Sequence, residues 1–268
     1  MSAGEIQFET LGRVALIRLN RPQTLNALTL PMLAEIRELV RRAEADPEVT
    51  AIAFTGEGRG FCSGLDSAAL IAATEGGSGG QPSQGAGLPG MFSYLLEVSK
   101  PVIAAVNGVA AGGGFILAMM SDLRFGSDAA SFTTVFSKRG LIAEHGASWM
   151  LPRLVGASRA LDLLWSSRRV HADEALRIGL LDRVFPGEDL LAGLVAYVDE
   201  LAANVSPSAI AVMKSQVYRH LSDAMGPSLA DADRLTQAQL KHPDAYEGAM
   251  SLIERRAPNF QPWTGAAS

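Results

Sequence analysis

Lys100–Asp122, with the sequence KPVIAAVNGVAAGGGFILAMMSD, combines the patterns of a strand, a turn and a helix. The apolar run Val102–Val106 lies between a proline and Asn107-Gly108, which is typical of a short buried strand. Gly112–Gly114 then precedes an apolar segment of helical length. We therefore predict a strand, a tight glycine turn and a helix whose first backbone N–H groups are open. Such N–H groups can hold an anion, or an oxygen that becomes one.

The glycine turn alone does not identify the site, because tight packing of a helix on a sheet also uses glycine. A nucleotide-binding protein needs G-x-G-x-x-G directly after the strand, and Gly108–Gly112 does not fit that spacing. A serine hydrolase needs G-x-S-x-G, and Met150 stands where the second glycine belongs around Ser148. The sequence thus disfavours both classes and leaves tight packing and an oxyanion site open.

Composition and charge exclude several classes of function. The 268 residues, 48% of them hydrophobic, are enough for one large domain with a substantial core. The net charge is 23 − 28 = −5 without a long basic run, so no nucleic-acid partner is expected. No apolar run approaches the roughly 20 residues of a membrane-spanning helix, and no secretory signal is visible. We therefore expect a soluble, cytoplasmic protein without a membrane partner.

Cysteine and histidine usage argues against a metal site. Cys62 is the single cysteine, which excludes an internal disulfide and any multi-cysteine metal centre. We predict that it packs as a small buried side chain. The four histidines form no carboxylate–histidine cluster at metal-ligand spacing, so no metal is expected.

The remaining pattern predicts alternating strands and helices followed by a helical C-terminal portion. The predicted elements are, in chain order, a hairpin within Ile6–Asn20, a helix capped by Thr29 and ended by Asp46-Pro47, a strand at Thr50–Thr55, a short helix at Ser67–Thr74, a helix at Met91–Ser99 and helical segments from Leu190 onward. Glu75–Gly90 is rich in Gly, Ser, Gln and Pro, which indicates either a surface insertion or a flap over a site.

Several motifs in order resemble the crotonase family, that is, the enoyl-CoA hydratase/isomerase superfamily. They are LNRPQTLNAL (19–28), FTGEGRGFCSGLD (54–66), the stretch 100–122, RGLIAEHGASWMLPRLVG (139–156) and ADEALRIGLLDRVF (172–185). The resemblance extends from about Val14 to Phe260. It implies an α/β fold, a crotonase-like spiral of repeated ββα units over residues 1–200 that carries an acyl-CoA site. It also implies that a C-terminal helical region, residues 201–268, forms a homotrimer or a dimer of trimers.

The resemblance also implies where an acyl-CoA thioester binds. Members of the family hold the enolate oxygen with two backbone N–H groups, which here fall at Leu65 and Gly113, with Gly112 in the same turn. Coenzyme A is part of the substrate, so no separate cofactor is implied. The expected contacts of its adenosine end are Thr24, Leu25, Ala27, Ser63, Gly64 and Asp66. Ala68 replaces a basic residue often found there, so the phosphate contacts come from elsewhere.

The catalytic carboxylates are where this chain departs from the hydratases of the family. Ile116 and Phe136 occupy the two positions at which those hydratases carry water-activating glutamates. Both apolar side chains are expected to border the acyl group. One acid remains in the region, Glu144, where some isomerases of the family have their single acidic residue. Its neighbour His145 could hydrogen-bond Glu144, bind a substrate group or pack inward.

A single acid indicates a reaction without water. In double-bond isomerisation a base takes a proton from C2 and returns one to C4 of the same dienolate, so one carboxylate suffices. We therefore expect isomerisation of an enoyl-CoA with Glu144 as the acid/base. Two alternatives remain, namely a hydratase with a non-standard acid/base set and a non-catalytic acyl-CoA-binding protein.

Overall fold

A computed structural model of the chain describes residues 4–75 and 88–262, without the side chains of 72–75. The strands are β1 (Ile6–Leu11), β2 (Val14–Leu19), β3 (Ala51–Gly56), β4 (Gly60–Cys62), β5 (Val102–Val106), β6 (Val109–Ala111), β7 (Leu123–Ser127), β8 (Ser131–Thr133), β9 (Val170–His171) and β10 (Arg183–Phe185). The helices are α1 (Leu30–Ala45), α2 (Ser67–Glu75), α3 (Gly113–Met119), α4 (Ala147–Val155), α5 (Ala157–Ser166), α6 (Ala172–Ile178), α7 (Leu190–Asn204), α8 (Pro207–His220), α9 (Met225–Gln239) and α10 (Pro243–Glu254).

The strands form two sheets, and a single ββα unit contributes strands to both. The larger sheet has the order β1-β2-β3-β5-β7-β10 and the smaller one β4-β6-β8-β9. In successive units the first strand joins the larger sheet, the second joins the smaller sheet, and a helix follows, as in β3-β4-α2 and β5-β6-α3. The predicted α/β fold of repeated ββα units is therefore confirmed.

The hairpin and the first helix follow their local sequence pattern. β1 and β2 pair antiparallel, with Ile6 opposite Leu19 at one end and Leu11 opposite Val14 at the other. The Thr29 hydroxyl accepts a hydrogen bond from Met32 N, and α1 ends before Asp46, as predicted. Four apolar residues bury one face of α1; they are Met32, Ile36, Val40 and Ala43.

Continuous apolar strands reflect burial of the larger sheet on both faces. Ile52 and Phe54 of β3 point into the main core, whereas Ala51 and Ala53 pack towards α7. α7 covers that second face with Leu190, Leu194 and Val198, which recur at helical spacing. Parallel strands covered on both faces lack polar alternation, which explains why β5 is uniformly apolar and β3 is apolar from Ala51 to Phe54.

Two segments differ from the sequence prediction. In Lys100–Asp122 a second strand, β6, lies between β5 and the glycine turn that opens α3. β6 has only three residues, and its strand conformation depends on pairing with β4 and β8. The predicted helix at Met91–Ser99 is wrong, because only Ser93–Leu96 form a single 3-10 turn.

Tertiary hydrogen bonds explain the missing helix. In an α-helix the Leu95 carbonyl would accept from Ser99 N. Instead, Lys214 Nζ donates to Leu95 O at 2.9 Å, and Ser99 N donates to Glu44 Oε1 at 2.7 Å. Both groups are thus used by other parts of the chain.

The C-terminal helices α7–α10 confirm the predicted helical portion. The predicted division after residue 200 falls inside α7 and stays a prediction. In the described ranges no helix is long and apolar enough to cross a membrane. Residues 76–87, most of the predicted insertion or flap Glu75–Gly90, lie outside the described residues.

Replacing Gly114 with alanine is expected to destabilise the fold strongly. The added Cβ would lie 2.1 Å from the Cys62 carbonyl oxygen, a backbone atom that cannot move aside. We expect a loss of at least about 3 kcal/mol in the free energy of unfolding, measured by urea denaturation. Gly248→Ala is the matched control, because its Cβ meets nothing closer than Phe260 at 3.7 Å and lies inside α10. It should gain about 0.5–1 kcal/mol. Equal stability of both variants would contradict the packing argument.

Candidate active site

Two segments predicted to bind the adenosine end of coenzyme A lie side by side. Ser63 donates from its backbone N to Leu25 O and from its hydroxyl to Thr24 O, both at 2.9 Å. Leu28 N donates to Gly64 O at 2.7 Å, and Asp66 N donates to Leu28 O at 3.0 Å. The structure therefore brings Thr24, Leu25 and Ala27 together with Ser63, Gly64 and Asp66. Their contacts with coenzyme A stay a prediction.

Asp66 has structural partners in this arrangement. Its Oδ1 accepts from Ala69 N at 2.9 Å near the start of α2, and its Oδ2 lies 3.4 Å from Arg21 Nη1. Arg21 also donates to Ala27 O at 2.6 Å. This carboxylate is thus engaged in holding the loop, whereas its backbone remains beside Leu28.

Two asparagines that the sequence analysis did not single out hold these loops. Asn26 is buried; its Oδ1 accepts from Arg21 N at 2.8 Å and its Nδ2 donates to Gly60 O at 2.7 Å. Asn107 Oδ1 accepts from Gly56 N at 3.0 Å. The pair Asn107-Gly108 is a signal that could have identified Asn107, since an asparagine amide can replace missing backbone partners. Asn26 has no glycine beside it and carries no such signal.

Two backbone amides without protein partners meet where the loops cross. Gly64 has φ +101°, and a Cβ there would lie 2.9 Å from Ala111 O and 3.1 Å from Gly113 N. Within the described residues neither Leu65 N nor Gly113 N donates a hydrogen bond to another group of the chain. Gly112 N, in contrast, donates to Thr133 O at 3.3 Å. The two amides predicted to hold an enolate oxygen are therefore open and close to each other.

Glu144 lies in the loop before α4 with a carboxylate that has no partner. Among the described residues its side chain forms no hydrogen bond or ion pair. Its backbone oxygen accepts from Ala147 N at 2.9 Å, and the residue is half-buried. His145, with φ +49°, turns the chain at the next position. A half-buried, unpaired carboxylate is available for proton transfer.

Burial lowers the pKa of His145 below its ordinary value, and the charge of Glu144 opposes this without reversing it. The imidazole is therefore neutral at pH 7 and does not supply a positive charge to Glu144. The sequence leaves three roles open for His145, the first of them a hydrogen bond to Glu144. The structure shows no such hydrogen bond.

The Glu144 loop and the open amides lie at opposite ends of α3. A Cβ at Gly146 would lie 2.6 Å from Met120 Cε, directly after α3, whereas Gly113 is its first residue. The seven residues of α3 span about 10 Å. Gly90 and Met91 lie between the two parts: a Cβ at Gly90 would be 3.7 Å from His145 Cα, and one at Gly113 would be 3.4 Å from Met91 Sδ.

Both positions that carry glutamates in hydratases are apolar and buried. Ile116 is 0% exposed and Phe136 is 5% exposed, and both belong to the main core. Neither can act as an acid or base, and Glu144 is the one acid that the structure describes in the segment 131–146. Their predicted contact with the acyl group stays a prediction.

Cys62 is fully buried, and burial raises its pKa to about 12. The prediction that it packs as a small buried side chain is confirmed, since a protonated, enclosed thiol is a poor nucleophile. Within residues 4–75 and 88–262 no three His, Cys, Asp or Glu side chains come together as metal ligands would.

Two sheets joined by ββα units, a helical C-terminal portion and a ββα turn that exposes paired amides define a protein of the crotonase fold. Comparisons with known proteins agree. The family model for enoyl-CoA hydratase/isomerase matches residues 9–262, and the chain belongs to this family.

Individual relatives cover nearly the whole chain. A probable enoyl-CoA hydratase of Mycobacterium leprae is 36% identical over 92% of this chain and 94% of its own length. A probable enoyl-CoA hydratase of Rhodobacter capsulatus is 34% identical over 97% and 99%. The crystal structure of an enoyl-CoA hydratase from Bacillus anthracis superposes with a TM-score of 0.88 at 26% identity and covers 97% of this chain and 100% of that one.

Proposed function

We propose that the protein isomerises the double bond of a 3-enoyl-CoA to the 2-enoyl form. Glu144 takes a proton from C2, the electrons move into a dienolate, and the same carboxyl group returns a proton to C4. No atom is gained or lost, so neither water nor a redox cofactor takes part. Membership of the enoyl-CoA hydratase/isomerase family supports this proposal.

The open amides supply the electrostatic part of this mechanism. Negative charge develops on the thioester oxygen when the proton leaves, and the N–H groups of Leu65 and Gly113 stabilise that charge more than they stabilise the neutral substrate. Because both amides are fixed by the loops around Gly64, no reorganisation is needed during the reaction.

The observation that carries the choice of isomerisation is the unpaired carboxylate of Glu144 together with buried apolar side chains at Ile116 and Phe136. Direct hydration with the usual pair of glutamates needs both acids, one to activate water and one to deliver a proton. Among the described residues, Glu144 is the one acid of the segment 131–146, and one acid is enough for a proton shift.

A two-substrate assay tests the proposal. The purified protein is incubated with a 3-enoyl-CoA and, separately, with crotonyl-CoA, and products are separated by chromatography. We expect formation of the 2-enoyl isomer in the first reaction and no 3-hydroxyacyl-CoA in the second. In D₂O the isomer should gain deuterium at C4 to the extent that the Glu144 proton exchanges with solvent. Hydration without isomerisation would overturn the proposal.

Hydration is a second candidate, favoured by the names of the relatives, which are printed as hydratases. It would require an acid/base set other than the usual two glutamates. Tight binding of acyl-CoA without turnover of either substrate would instead favour a non-catalytic acyl-CoA-binding protein. The same assay therefore separates all three functions.

We also propose that α8–α10 mediate assembly into a homotrimer or a dimer of trimers. Large apolar side chains are exposed on these helices, and a contiguous apolar surface marks an interaction site. They are Met213, Val217, Met225, Leu229, Leu240, Leu252 and Ile253. Light scattering coupled to size exclusion measures the mass of the assembly, and a monomer would contradict this proposal.

A further inference from the structure

A cavity of about 810 Å³ lies beside the Glu144 loop, between the 3-10 turn at Ser93–Leu96, α4 and α8. Its inner wall is mostly apolar and includes Leu96, Met120 and Trp149. Its outer edge is polar, with Glu97, Arg219 and Asp223. A bound group would thus be enclosed by apolar side chains at one end and face charged residues at the other.

Small side chains create the empty volume. Ala211 and Ser215 lie one turn apart on the same face of α8 and face the cavity together with Gly146. Ala211 is only 3% exposed, so its side chain points inward, opposite large residues such as Trp149. A larger residue at position 211 would fill the cavity.

The α8 wall is held in place by polar anchors. Lys214 Nζ forms an ion pair with Asp122 at 2.7 Å and donates to Leu95 O and Lys100 O. The Tyr218 hydroxyl donates to the other Asp122 oxygen at 2.8 Å. Because Lys214 and Tyr218 lie within one turn of the lining residues, the cavity is a fixed part of the fold and not a gap between loosely packed helices.

The cavity adjoins the proposed reaction centre. Gly146 lines it and follows Glu144 by two residues, and Met120 lines it at the end of α3. Pro89 lines it too, two residues before Met91, which packs beside Gly113. An acyl chain whose thioester oxygen meets the open amides would therefore pass Glu144 and enter this space.

We propose that this cavity holds the acyl group, that Ala211 is a specificity-determining residue, and that the substrates carry a large apolar acyl group. The inference rests on the proposed acyl-CoA function. Cavities of roughly 300–1,000 Å³ hold drug-sized ligands. A short acyl group would leave most of the apolar wall against water, whereas a long chain or a ring displaces that water.

Equilibrium binding of saturated acyl-CoA esters tests this inference without any need for turnover. Dissociation constants for butanoyl-CoA and decanoyl-CoA are measured by calorimetry on the full-length protein. We expect the wild type to bind decanoyl-CoA at least about tenfold more tightly, because additional methylene groups are buried. Ala211→Ser, which changes the volume little, should keep this preference. Ala211→Phe should remove it by weakening the binding of decanoyl-CoA.

A second variant covers the case in which Ala211→Phe does not fold. Ser215 is exposed at the edge of the same cavity, so Ser215→Phe adds bulk without overpacking the core. It should also reduce the preference for decanoyl-CoA. Equal affinity of the wild type for both esters, or an intact preference in the phenylalanine variants that fold, would overturn the inference. Loss of isomerase activity with an intact chain-length preference would instead count against the proposed function alone.

Discussion

Glu144→Gln is expected to lower kcat for isomerisation of a 3-enoyl-CoA by about 10²–10⁴-fold. Glutamine keeps the size and polarity of the side chain but cannot accept the C2 proton at neutral pH. Because the carboxylate forms no hydrogen bond or ion pair with the residues that the structure describes, its removal leaves no unpaired charge there and the fold should persist. The measurement is kcat and KM by a coupled spectrophotometric assay, with the dissociation constant of a saturated acyl-CoA measured in parallel.

Two controls sharpen this experiment. Glu35→Gln alters an exposed acid on α1 and should leave kcat unchanged. His145→Asn should keep kcat at pH 7, because the imidazole is already neutral there and supplies no positive charge to Glu144. Unchanged turnover in Glu144→Gln would remove Glu144 from the mechanism. A large loss of kcat in His145→Asn would place His145 in the mechanism.

Gly64→Ala is expected to lower kcat/KM by about 10²–10³-fold, the typical effect of losing one oxyanion donor. The new Cβ would lie 2.9 Å from Ala111 O and 3.1 Å from Gly113 N, and φ +101° is strained for any residue with a Cβ. The crossing loops must therefore separate, which moves the Leu65 and Gly113 amides away from a common oxygen. Circular dichroism and thermal unfolding establish whether the variant is folded before its activity is measured.

Gly113→Ala provides the comparison for Gly64→Ala. Its Cβ would meet Leu28 Cδ1 and Met91 Sδ at 3.4 Å, which is ordinary van der Waals contact. We expect a smaller loss of activity than in Gly64→Ala, since the N–H group of residue 113 stays in place. Equal losses in the two variants would indicate that added bulk, and not the alignment of the amides, causes the effect.

Local patterns predicted those elements whose conformation depends on nearby residues. The Thr29 cap and the helical spacing in α1 define that helix without help from the rest of the chain. β3 and β5 were predictable because burial on both faces gives an uninterrupted apolar run. β6 and the 3-10 turn were not, since β6 depends on strands β4 and β8 and the turn depends on Lys214.

The candidate site likewise has parts that the sequence predicted and parts that depend on distant residues. The resemblance located the amides of Leu65 and Gly113, and the structure shows that both are open. It also located Glu144, whose catalytic role stays a prediction. The cavity wall could not be predicted, because its lining residues on α8 lie far from the Glu144 loop in sequence. Leu95 and Lys214, which join α8 to the opposite wall, are likewise 119 residues apart. No pattern in either segment indicates the other.

The bond between Lys214 and Leu95 also sets an order of events during synthesis. The two residues are 119 positions apart, and ribosomes add roughly 5–20 residues per second. Leu95 is therefore synthesised about 6 to 24 s before Lys214. The central strands of both sheets, β5 to β8, are completed within that interval, whereas α8 is not. Apolar residues such as Leu96 and Met120 then face water, and a chaperone that recognises exposed apolar segments would bind there until α8 arrives.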